Sequence, residues 1–81
     1  MTIEFKNGTG SRITITLQDS SANSGVWKKD ITNGNIERFN PHAGAFLARI
    51  TLSNKKSWQV AVNHGYRYRV DGYNDVKKFK I

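Results

Sequence analysis

Apolar and polar residues alternate with a period of two along nearly the whole chain. The pattern is plainest from Arg12 to Gln18, where Ile13, Ile15 and Leu17 fall on one side and Arg12, Thr14, Thr16 and Gln18 on the other. No window keeps apolar residues at i, i+3, i+4 and i+7 through two helical turns, so no amphipathic helix is available to build a core. The chain therefore reads as all-β, with one face of each strand wet.

Turn residues punctuate the alternation. Ile3 and Phe5 alternate with Thr2, Glu4 and Lys6, and Asn7-Gly8-Thr9-Gly10-Ser11 then predicts a reversal into the Arg12–Gln18 strand, an Ile3–Leu17 hairpin. Asp19 to Gly25 holds no apolar side chain larger than alanine and reads as an exposed loop. Val26 to Ile31 follows, and Asn33-Gly34 suits a type I′ hairpin into Ile36–Phe39. Pro41 has no amide donor, so Asn40 to Gly44 reads as a turn or a corner between sheets. Ala45 to Leu52 carries apolar residues on both faces, as a central strand does. A polar turn at Ser53–Ser57 leads to Trp58–Val62, and Asn63-His64-Gly65 predicts another hairpin into Tyr66–Val70. Asp71 to Asp75 then turns the chain into Val76–Ile81.

About seven short strands with close turns, in a chain of 81 residues, fit a small antiparallel β-sandwich, immunoglobulin-like or related, with a small open β-barrel as the alternative. Residues 1–81 are one β domain, because halving the chain leaves pieces near the roughly 40-residue limit for independent folding. The expected core is Ile3, Phe5, Ile13, Ile15, Leu17, Trp27, Ile31, Phe46, Ile50, Leu52, Trp58, Val60, Val62, Tyr68 and Val70. The Ile3–Leu17 and Trp58–Tyr73 stretches resemble those of immunoglobulin-like and related sandwiches in pattern, in a chain without cysteine; a likeness of this kind carries no function.

Charge says more about partners. Thirteen Lys and Arg against six Asp and Glu give a formal charge of +7, a field that concentrates acidic molecules near the surface. The same magnitude also serves solubility alone. The basic residues expected to meet an acidic partner are Lys28, Lys29, Lys55, Lys56, Arg67, Arg69, Lys77, Lys78 and Lys80, as far as they converge, with Tyr73 as an exposed aromatic anchor. In Tyr66-Arg67-Tyr68-Arg69 the period of two sends the tyrosines inward and the arginines outward, opposite Asp30 or Glu37.

Catalytic chemistry has little support. The absence of cysteine removes thiolate metal sites, cysteine nucleophiles and disulfides, and the Ser20–Ser24 stretch has no Gly-x-Ser-x-Gly. His42 and His64, paired with Glu37 or Asp71 and assisted by Arg67 or Arg69, make a small His-dependent nuclease a minor alternative. Their spacing matches no metal-ligand motif, and solvated turn histidines are the simpler expectation. The expected protein is thus a non-enzymatic binding module without cofactor or metal, engaging nucleic acid, an anionic glycan or lipid surface, or an acidic protein face. Lectin-like recognition of carbohydrate is the alternative. Recognition is expected at Asp19–Gly25, Asn40–Gly44, Asn63–Gly65 or a strand edge, because side chains fill the space between the sheets. Asn7-Gly8-Thr9 matches a glycosylation acceptor. No apolar run approaches the roughly 20 residues of a membrane span, and no leader is visible after Met1, so the expected location is cytoplasmic or reached by a non-classical route.

Overall fold

A computed structural model describes residues 2–19 and 26–81. The strands in chain order are β1 (Ile3–Asn7), β2 (Ile13–Asp19), β3 (Val26–Ile31), β4 (Ile36–Phe39), β5 (Phe46–Thr51), β6 (Ser57–Val62), β7 (Tyr66–Gly72) and β8 (Asp75–Lys80). They form two open four-stranded sheets, sheet A in the order β4-β1-β7-β8 and sheet B in the order β3-β2-β5-β6, not closed into a barrel. No helix among the described residues is long and apolar enough to cross a membrane.

The inner faces supply one core. Sheet A contributes Ile3, Phe5, Phe39, Tyr68 and Val70, and sheet B contributes Ile13, Ile15, Leu17, Ile31, Phe46, Ala48, Ile50 and Val62. Phe5 is its aromatic hinge, edge-on to Phe39 and stacked on Tyr68 with ring centroids 5.7 and 5.6 Å away. Four residues expected in this core are only half-buried against it: Trp27, Leu52, Trp58 and Val60. Trp27 lies on β3, and Trp58 and Val60 on β6, which are the two edges of sheet B, while Leu52 lies just past the end of β5. An edge residue has neighbours on one flank alone, so the same apolar face buries less there. Phe39, on the short β4, is buried although it does not belong to the expected core.

Connections depart most from the sequence reading. The β2–β3, β5–β6 and β7–β8 connections stay within one sheet, but those predicted as hairpins after β1, β3 and β6 cross between sheets, as Asn40–Ala45 also does. At Thr32–Asn35 the Asn35 amide donates to the Thr32 carbonyl at 3.1 Å, and only Gly34 has a positive φ, 82°. That is the arrangement of a type II turn; type I′ requires positive φ at both central residues. Turn residues mark where the chain reverses without stating which sheet it joins next.

The β1–β2 corner is held by Asn7, which is fully buried. Its Nδ2 donates to the Ser11 and Ile31 carbonyls, and its Oδ1 accepts from the Thr9 amide and hydroxyl at 2.9 and 2.7 Å. The Asn7 main chain also bonds to Asn35 and Gly34 of the β3–β4 turn. A side chain so enclosed is no acceptor for a glycan in the folded protein, whatever its sequence triplet. The expected wholly antiparallel pairing is also broken here: β1 lies parallel to β7, with Glu4 opposite Arg67 and Lys6 opposite Arg69.

Candidate functional site

That parallel pairing builds the outer face of sheet A. Side chains alternate across a strand, so when Ile3, Phe5 and Asn7 point inward, Glu4 and Lys6 point out. Cross-strand neighbours then form two rows: Arg38, Glu4, Arg67 and Phe79 in one, Ile36, Lys6, Arg69 and Lys77 in the other. Strands about 4.8 Å apart, with like-facing residues about 6.6 Å apart along each strand, bring five cations close together.

Two carboxylates order these cations. Glu4, whose side chain is 2% exposed under its arginine neighbours, accepts from Arg67 Nε at 2.9 Å and from Arg38 Nε and Nη2 at 3.0 and 2.8 Å. The Arg67 hydrogen bond, reinforced by Arg38, holds the Glu4 carboxyl below the usual glutamate range against the opposing effect of burial. Asp71 accepts from Arg69 Nε at 2.9 Å and from Lys77 at 3.3 Å, and the Arg69 bond chiefly lowers its pKa. Lys77 also donates to Asp75 at 3.0 Å, which with Asp71 raises the lysine. Gly8 lies against this pair: a Cβ there would come within 2.9 Å of Asp71 Oδ1.

Arg67 and Arg69 are each held through Nε, and among the described residues their end-on Nη groups bond to nothing in the protein. They line a groove of about 470 Å³ together with Lys6, Phe79, Lys80 and Ile81. Lys6 and Lys80 make no ion pair or side-chain hydrogen bond among the described residues. The Arg69 guanidinium lies over the Phe79 ring, 5.3 Å from its centroid, and Phe79 and Ile81 remain 44% and 57% exposed. Fixed forks, the Lys6 ammonium and an apolar flank suit oxygen anions carried on a flat or apolar body.

The ten residues expected to meet a partner do not share one surface. Arg67, Arg69 and Lys77 lie on the outer face of sheet A, while Lys80, opposite Tyr66 and so on the other side of β8, lines the groove from the sheet edge. Lys78 projects from β8 toward the inner side, 4.1 Å from the Tyr66 ring centroid. Lys28 stands on the outer face of sheet B, beside Thr16 and Arg49. Lys29 bridges the sheets at their β3 and β4 edges, donating to the Arg38 carbonyl at 2.7 Å and pairing with Glu37 at 3.6 Å. Lys55 and Lys56 occupy the β5–β6 turn, where Lys56 faces Tyr73, itself edge-on to Trp58 at 5.2 Å. Lys6, Arg38, Glu4 and Phe79 join the site without having been expected there. The first strand's alternation puts Glu4 and Lys6 on one face, but nothing in the sequence shows that β7 lies beside it. The arginines do point outward as expected, with Glu4 and Asp71 as their partners in place of Asp30 or Glu37.

The histidines are not independent solvated turns. Both rings flank Phe46, at 5.3 and 5.6 Å, and His64 Nε2 lies 3.0 Å from the His42 carbonyl. His42 Nε2 meets the buried Asp19 at 2.6 Å, so neither Glu37 nor Asp71 is its partner. Among the described residues no group of three or more His, Cys, Asp and Glu is placed to hold a metal ion. Of the loops expected to recognise a ligand, Asp19–Gly25 lies outside the described residues beyond Asp19; neither Asn40–Gly44 nor Asn63–Gly65 lines the groove, which runs beside the β8 edge. No protein-family model, curated protein or solved structure matches the chain.

Proposed function

We propose that the protein is a non-enzymatic binding module that engages an acidic partner through the outer face of sheet A. The observation that carries this reading is the groove itself: Lys6, Arg67 and Arg69 bring uncommitted donors to it, Lys80 lines it from the β8 edge, and Phe79 and Ile81 stand exposed beside them. The chain's positive charge brings polyanions to the surface, and these fixed donors give them a place to settle. An immunoglobulin-like or related sandwich would serve as the rigid scaffold for such a face.

The test is binding of a labelled polyanion at two salt concentrations. About four contacts, each with a slope near −0.7, predict a roughly 50-fold loss of affinity for a fourfold rise in monovalent salt. Lys6→Ala with Lys80→Ala removes two cations that make no ion pair or side-chain hydrogen bond among the described residues, and should weaken binding by about tenfold at low salt. Lys28→Ala with Lys55→Ala removes the same charge elsewhere and should change affinity by less than about twofold. Equal losses in the two double variants, or affinity indifferent to salt, would refute the assignment.

A further inference from the structure

We infer that the acidic partner is a single-stranded nucleic acid, with its phosphates along Arg67 and Arg69 and a base against Phe79; this rests on the binding reading above. Three features of the groove favour it. First, the carboxylates of Glu4 and Asp71 occupy the Nε positions of Arg67 and Arg69, leaving the Nη edges as two preset forks. Such a fork donates two parallel hydrogen bonds, matching the two non-bridging oxygens of a phosphodiester. The arginines stand two residues apart on one strand, about 6.6 Å, so a backbone laid along β7 meets them in succession.

Second, the cations adjoin a flat platform. Arg69 lies over Phe79, and a guanidinium stacked on an aromatic ring offers planar surface of the kind on which unpaired bases settle. Ile81 extends the apolar flank at the same rim. Unpaired bases gain affinity from such stacking, whereas a sulfated glycan is held chiefly through its charges. Third, the site is concave and lies on a sheet face. Reading the base edges of duplex DNA calls for an element that enters its groove, whereas a single strand can lie within this one with its bases open to the platform.

Fluorescence anisotropy with a labelled short oligothymidylate tests this, using a duplex of equal length and a heparin oligosaccharide as competitors. The oligothymidylate should bind more tightly than the duplex, and Phe79→Ala should weaken it by about tenfold while leaving heparin affinity within about twofold. Phe79 is half-exposed, so its truncation leaves the core intact; a circular dichroism spectrum matching the parent confirms this. Arg69→Lys keeps the charge but loses the fork and the stack, and should weaken the oligothymidylate by a similar factor. If heparin or the duplex binds as tightly and Phe79→Ala is silent, while Lys6→Ala with Lys80→Ala still weakens binding, the single-strand inference is overturned and the acidic-partner reading survives. If no polyanion binds at low salt, both fall.

Discussion

Glu4 is the residue on which the groove's order depends. Its carboxylate receives three hydrogen bonds from Arg38 and Arg67, all charge-assisted, and replacement by glutamine should destabilise the fold by about 1–3 kcal/mol at neutral pH. Because its carboxyl is lowered in the native state, its contribution is fully present above the unfolded value near 4.5 and is lost as pH falls through the native value. Urea unfolding of parent and Glu4→Gln should therefore differ most at neutral pH and converge in acid; a constant gap across that range would contradict the assignment. Asn7 has no such pH dependence. Its four side-chain hydrogen bonds tie three chain segments together in a buried site, so Asn7→Ala should cost about 2–4 kcal/mol by the same measurement. A loss below about 1 kcal/mol would mean that water replaces those bonds freely.

Among the elements, β4 and β6 behave differently although both are edge strands. β4 is only four residues long, yet it places Phe39 against Phe5 at the centre of the core. Phe39→Ala should cost about 3–5 kcal/mol, and Trp58→Ala, from the half-buried face of β6, at least about 1 kcal/mol less despite the larger ring. Thermal unfolding of the two variants gives the order, and the reverse order would place the core on the β6 side. The strands are legible in the sequence because alternation is a local property: β2 keeps buried and half-buried residues in strict alternation along its whole length, and the arginine and tyrosine faces of β7 follow from parity alone. Pairing is not local. Asn33-Gly34 and Asn63-His64-Gly65 announce reversals, yet β4 and β7 join the opposite sheet, each beside β1. The candidate groove needs that long-range pairing, so Arg67 and Arg69 could be found from the sequence while Glu4, Lys6 and Phe79 could not. Trp27 and Trp58 lie shallower than their parity implies for a related reason, since strand order decides which strands are edges.

For the whole molecule, net charge matters less than its placement. The +7 balance is divided among the outer faces of both sheets, the β5–β6 turn and the strand edges, and many cations are committed to carboxylates or rings. At the groove, by contrast, Lys6, Arg67 and Arg69 gather free donors on one face beside exposed apolar side chains, with Lys80 at the edge. A distributed charge would bind polyanions weakly from every side, whereas donors gathered in one groove confine binding to one face. Amide chemical shifts recorded during titration with a short oligothymidylate separate these two cases. The largest changes should fall on Lys6, Arg67, Arg69, Phe79 and Ile81, with Lys28, Arg49 and Lys55 unmoved. Shifts spread evenly over both sheets, or centred on residues 40–44 and 63–65, would contradict a binding site on the outer face of sheet A.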